Sequence, residues 1–162
     1  DINKKENILT KNLNIIDLGS AKGVWTQIES KRLNDTGSVV AIDILDMPKI
    51  KDVKFIKSDL REFDQNKLNQ PIDVVISDIA PNISGVRFID DTNMIDLLEI
   101  ELSIVDKTLV KGGNFLAKCF EGRSTEFLSK EINKRFKIMK RLKPDSSRKI
   151  SKEIYLLGLN KN

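Results

Sequence analysis

The stretch from Asn14 to Trp25, Asn-Ile-Ile-Asp-Leu-Gly-Ser-Ala-Lys-Gly-Val-Trp, constrains the fold more than any other in the chain. A short apolar run that meets glycine and then a helical pattern predicts a buried strand turning sharply into a helix. In open α/β sheets such a turn lies at the carboxyl ends of the strands, where ligands bind. Gly19 and Gly23 let backbone N–H groups approach a ligand closely, because neither carries a Cβ.

Spacing narrows the ligand. The glycines stand as G-x-x-x-G, whereas a dinucleotide fold expects G-x-G-x-x-G and a phosphate loop expects G-x-x-x-x-G-K-[ST]. Neither pyrophosphate reading fits. Asp17, just before the turn, repels a polyphosphate and suits an amine-bearing ligand such as the amino-acid end of S-adenosylmethionine. A βα turn that binds nothing stays open on this stretch alone.

Inventory excludes other chemistries. With no histidine and one cysteine, Cys119, a zinc cluster or a histidine-based triad is ruled out, so no metal site is expected. The chemistry must come from Lys, Asp and Glu. Cys119 has no partner for an internal disulfide, which points to a reducing compartment, and beside Phe120 it reads as core filler. The 162 residues suit a single domain, and no apolar run nears the ~20 residues that cross a bilayer.

The remaining apolar runs predict strands at 38–43, 53–57, 72–78, 114–120, 136–143 and 154–159, with helices at 24–33, about 60–68, 90–109 and 124–136. Lys111-Gly112-Gly113 reads as the turn out of the third helix, whose core face is Ile95, Leu98, Leu102, Val105 and Leu109. Five strands alternating with helices, then two strands with no helix between, predict an α/β fold: a mostly parallel seven-stranded sheet with an antiparallel edge.

Acidic residues end several of these strands. Asp43 is placed to accept from ribose hydroxyls, or else to serve a turn. Asp59 is placed to accept from an adenine amino group or to cap a helix. Asp78 leads into Ile-Ala-Pro-Asn-Ile-Ser-Gly85, where proline and glycine forbid an immediate helix and a functional loop is expected. Lys118 interrupts an otherwise apolar strand near its end, as a partly exposed lysine or as a functional one. Charge is uneven: residues 130–162 hold 11 Lys and Arg against 3 Asp and Glu, while residues 1–129 hold 17 against 21. A basic end of this kind faces solvent or an acidic partner such as nucleic acid.

Taken together, "IIDLGSAKGVWTQ", "AIDILDM", "KSDLRE", "VVISDIAPNISG", "KGGNFLAKCF", "KPDSSR" and "SKEIYLLG" resemble, in order and spacing, the FtsJ-type ribosomal RNA 2′-O-methyltransferases. The resemblance implies a Rossmann-like class I methyltransferase fold, S-adenosylmethionine as cofactor and a ribose 2′-hydroxyl of large-subunit ribosomal RNA as acceptor. It implies that Gly23, Trp25, Asp43, Asp59 and Asp78 hold the cofactor, with Gly19 shaping the turn. Family catalysis uses a Lys-Asp-Lys-Glu set, and Asp78, Lys118 and Glu153 match its last three members. The first lysine falls just before Asp1, so the N-terminal part of the family domain is expected upstream, and an organelle stays open beside the cytoplasm. Lys22 and Val24 stand where the family commonly has proline and glycine, which bears on cofactor affinity.

Lys118 is then the expected general base, Asp78 its orienting partner and Glu153 a support. Lys140, Arg141, Lys143, Arg148 and Lys149 are the expected RNA phosphate contacts. The expected partner is ribosomal RNA within the assembled large subunit, met by a monomer and with no membrane involved. A transfer RNA or messenger cap enzyme, or a catalytically silent RNA-binding module, shares much of the pattern.

Overall fold

The computed structural model describes residues 13–19, 37–68, 70–143 and 152–162. Seven strands form one sheet: β1 (Asn14–Leu18), β2 (Ser38–Asp43), β3 (Val53–Lys57), β4 (Ile72–Ser77), β5 (Leu109–Phe120), β6 (Phe136–Leu142) and β7 (Glu153–Lys161). Their spatial order is β3-β2-β1-β4-β5-β7-β6. The first five run parallel, and β7 lies antiparallel between β5 and β6. Two helices pack on the sheet, α1 (Arg87–Thr108) and α2 (Arg123–Arg135).

Strands buried on both faces must be apolar along their whole length. Ile15, Ile16 and Leu18 of β1 and Val74, Val75 and Ile76 of β4 accordingly sit at 0–1 % exposure. Side chains alternate between two cores. Ile16, Leu18, Val75, Phe115 and Ala117 meet Met94, Leu98 and Leu102 of α1 and Leu128 and Ile132 of α2. Ile15, Ile76, Leu116, Tyr155 and Leu157 form the second core on the opposite face. Arg135 ties the two helices, its Nε and Nη2 donating to both carboxylate oxygens of Asp106 at 2.7 and 3.0 Å.

Three local expectations are corrected. The helix expected at 60–68 is two short 3₁₀ turns, Leu60–Glu62 and Gln65–Lys67. Each is started by an aspartate whose carboxylate accepts from the backbone two residues on, Asp59 from Arg61 and Asp64 from Asn66. Such local bonds compete with the helical ladder. Lys111-Gly112-Gly113 belongs to β5, not to a turn, where it bulges out of register with β4 between Ile72 and Val74. A Cβ on Gly113 would stand 2.9 Å from the Asp73 carbonyl oxygen, so the bulge needs glycine. The buried stripe of α1 includes Met94 and Glu101, while Ile95 is only partly buried and Leu109 opens β5. The expected helix at 24–33 lies outside the described residues.

Glu101 is fully buried and accepts from the Ser77 hydroxyl. Burial pushes its carboxyl up to about 8, and the Ser77 bond only partly opposes this. Between the ordinary carboxylate range and pH 8 the folded chain therefore holds a proton that the unfolded chain has lost, so stability falls as pH rises through that window. Urea unfolding at pH 5 and pH 8 is expected to show the wild type losing a few kcal/mol, on the order a shift of this size carries. Glu101→Gln is expected to lack most of that dependence.

Candidate active site

Parallel strands carry their carboxyl ends to one rim of the sheet, and the candidate residues gather there. After β1 the chain turns at Gly19 (φ +76°), whose N–H donates to the Ile42 carbonyl at 2.9 Å. A Cβ on Gly19 would lie 2.3 Å from Cγ1 of Ile79, so the turn and the loop after β4 pack as close as glycine allows. Next to this contact is a cavity of about 380 Å³ whose wall includes Gly19, Asp43, Ser58, Asp59, Asp78 and Asn82. Its size falls in the range of small-molecule sites.

Two of the carboxylates at that wall are held by the backbone. Asp43 ends β2 and accepts from Leu45 N–H at 2.9 Å, and Asp59 accepts from Arg61 N–H at 2.9 Å. Asp59 thus caps a short turn and also faces the cavity. Asp17 is buried at 1 % exposure on β1, on the same face as Ile15 by strand alternation. Gly23 and Trp25 lie outside the described residues.

Asp78 links this cavity to a second group. Lys118 Nζ stands 3.0 Å from Asp78 Oδ1 and 3.8 Å from Glu153 Oε2. Register explains the meeting. Lys118 lies directly across from Tyr155, and Phe120 from Glu153, because β7 runs antiparallel to β5 and begins where β5 ends. Lys118, Glu153 and Tyr155 then share one face by alternation. The Lys118 side chain is only 13 % exposed, so its ammonium is spent on these two carboxylates rather than on water.

Tyr155 is a member of this group that the sequence reading missed. Its hydroxyl donates to Asp78 Oδ1 at 2.5 Å. Burial, reinforced by the Asp78 carboxylate, raises the phenol well above its ordinary value, so it remains a donor throughout the working pH range. The available signal was its place two residues after Glu153 on a strand. Tyr155→Phe is expected to slow turnover about 10-fold and to cost about 1 kcal/mol of stability, by leaving Asp78 less firmly aimed. Single-turnover kinetics beside urea unfolding check both.

The basic residues lie elsewhere. Lys140, Arg141 and Lys143 are exposed along or just beyond β6, the edge strand, where charge also blocks edge-to-edge pairing. Arg141 pairs with Glu121 at 2.6 Å. Arg148 and Lys149 fall outside the described residues. Cys119 is buried, with its thiol pushed up to about 11 by burial, and so fills the core rather than reacting. Among the described residues no cluster suits a metal ion, and no described helix is long and apolar enough to cross a membrane.

The chain is 40% identical over 167 residues to ribosomal RNA large subunit methyltransferase E of Methylobacillus flagellatus, covering 99% of this chain and 81% of that protein. It is 38% identical over 164 residues to the protein of the same name from Stenotrophomonas maltophilia, covering 98% and 78%. The crystal structure of a Plasmodium falciparum protein assigned as a ribosomal RNA methyltransferase superposes with a TM-score of 0.89 at 25% identity, covering 99% of this chain and 92% of that one. That likeness extends over the whole Rossmann-like sheet. A family profile described as FtsJ-like methyltransferase matches residues 1–161. With the Asp78–Lys118–Glu153 group abutting a cofactor-sized cavity, and relatives matched over nearly its whole length, the chain belongs to the FtsJ-like methyltransferase family and is an enzyme of that kind.

Proposed function

We propose that this methyltransferase uses S-adenosylmethionine to methylate a ribose 2′-hydroxyl of large-subunit ribosomal RNA. The observation that carries the reading is Asp78, which lines the rim cavity and also pairs at 3.0 Å with a nearly buried lysine. The names of the relatives support the choice of RNA. The reading extends to one methyltransferase domain acting as a monomer in the cytoplasm, on the assembled large subunit.

The cavity fits the cofactor. Its carboxylates suit amine and hydroxyl donors, and its glycine wall admits close backbone approach. S-adenosylmethionine, when bound, supplies an electrophilic methyl group on a sulfonium. Asp43 would accept from its ribose hydroxyls and Asp59 from its adenine amino group, with Gly19, Gly23 and Trp25 around them.

Lys118 takes up the proton that the acceptor hydroxyl releases. In its amine form Nζ accepts that proton, and the ammonium so formed is the one that Asp78 and Glu153 hold at 3.0 and 3.8 Å. Tyr155 fixes the Asp78 carboxylate meanwhile, so the lysine is held on line.

Phosphate contacts fall to Lys140, Arg141, Lys143, Arg148 and Lys149, so RNA affinity should drop steeply with salt. The test is transfer of labelled methyl by the full-length protein to unmodified large subunits and, separately, to transfer RNA. Label in large-subunit RNA is the expected result. Label confined to transfer RNA would overturn the substrate assignment.

A further inference from the structure

A second surface meets the site from the side of the two helices. The loop after β4 separates two cavities. Asp78 and Asn82 face the first, while Ile83 and Gly85 face another of about 380 Å³ that also takes in Arg87, Phe120, Lys152 and Glu153. Arg87 and Asp91 line this cavity and a shallower groove beyond it, which continues to Phe88 and Arg123. One path therefore runs from Glu153, 3.8 Å from Lys118, to the beginnings of α1 and α2.

The groove is built in an uncommon way for a protein surface. Phe88 is 68 % exposed, and the Arg123 guanidinium lies over its ring at 5.0 Å from the centroid. Val86 and Ile89 beside it are 52 % and 45 % exposed. The Arg87 guanidinium crosses to Gly122, with Nη2 only 3.1 Å from where a Cβ of that residue would stand. Several neighbouring carboxylates are committed, while the exposed Glu126 also lines the groove. Asp90 accepts from Ser84 and Gly85 N–H groups and so holds the loop, Glu121 pairs with Arg141, and Asp91 is buried. Arg87 and Arg123 stand in no ion pair among the described residues, which leaves cationic charge beside an open ring.

A planar ring backed by a guanidinium, with further cations within reach, matches an unpaired base and its phosphates. An apolar partner protein would meet the same ring but has no use for unpaired guanidinium groups along its border. On the reading that the substrate is ribosomal RNA, we propose that this shelf holds the nucleotide next to the acceptor, its base stacked on Phe88 and Arg123 and its phosphates met by Arg87 and Lys152. Except for Lys152, the shelf lies in the acidic part of the sequence, and it adds recognition of an unstacked base to contacts that track the backbone.

Binding of a short fluorescein-labelled single-stranded RNA and of S-adenosylmethionine, measured separately on the full-length protein, tests this. Phe88→Ala is expected to weaken RNA binding about 5- to 100-fold, Phe88→Trp to restore it, and both to bind cofactor as the wild type does. Equal RNA affinity for Phe88→Ala and wild type would overturn the shelf while leaving the RNA substrate intact. A Phe88→Ala defect seen only on protein-containing subunits, and not on the naked RNA, would overturn it in favour of a protein contact. A wild type that binds cofactor but no RNA would remove the substrate reading and the shelf with it.

Discussion

Replacing Lys118 by alanine is expected to slow methyl transfer about 10²–10⁴-fold, the range for loss of a positioned general base, with cofactor affinity nearly unchanged. The lysine is separated from the wall of the cofactor cavity by Asp78, so binding should survive its loss. Lys118→Arg sharpens the test. Arginine keeps the positive charge between Asp78 and Glu153 but does not become neutral in a protein. If Lys118 takes the proton, the arginine variant is as slow as the alanine variant. If charge alone matters, the arginine variant keeps most of the rate. Rapid-quench kinetics at saturating substrate separates the two.

Asp78→Ala is expected to damage both steps at once. Its carboxylate faces the cofactor cavity and accepts from Lys118 and Tyr155 on one oxygen. Removing a charged acceptor of this kind costs about 1.5–3 kcal/mol per bond, so cofactor affinity should fall about 10- to 100-fold. The chemical step should fall about 100-fold more, because Lys118 loses its nearer partner and Tyr155 the carboxylate it donates to. Asp43→Ala, at the far wall, should lower cofactor affinity and leave the chemical step alone. Calorimetry for binding and single-turnover kinetics for chemistry read the two effects apart. Unchanged cofactor affinity in Asp78→Ala would place that residue with Lys118 only.

Much of this was legible because buried parallel strands have so few ways to be written. Asn14–Leu18, Ser38–Asp43 and Val53–Lys57 are apolar or β-branched runs bounded by turn residues, and their limits agree with the sequence reading. The rim positions of Asp43, Asp59, Asp78 and Lys118 followed from where β2, β3, β4 and β5 end. The illegible parts are those where a local competitor or a distant partner decides. Asp59 and Asp64 each cap their own turn and break a segment whose Leu60, Phe63 and Leu68 look helical. Glu101 is buried because Ser77, on another element, supplies its hydrogen bond, a pairing that local sequence does not signal. Tyr155 reads as one more core aromatic until register sets it opposite Lys118. Phe88 and Arg123 are 35 positions apart in a chain that gives no sign they meet.

The chemistry of the product tests the central claim most directly. A phosphodiester bond is cut by alkali through the neighbouring ribose 2′-hydroxyl, so a methyl on that oxygen protects it. Large-subunit RNA labelled by this enzyme and then hydrolysed in alkali should retain the label in a resistant dinucleotide. Label recovered in a mononucleotide, as a methylated base gives, would contradict the account.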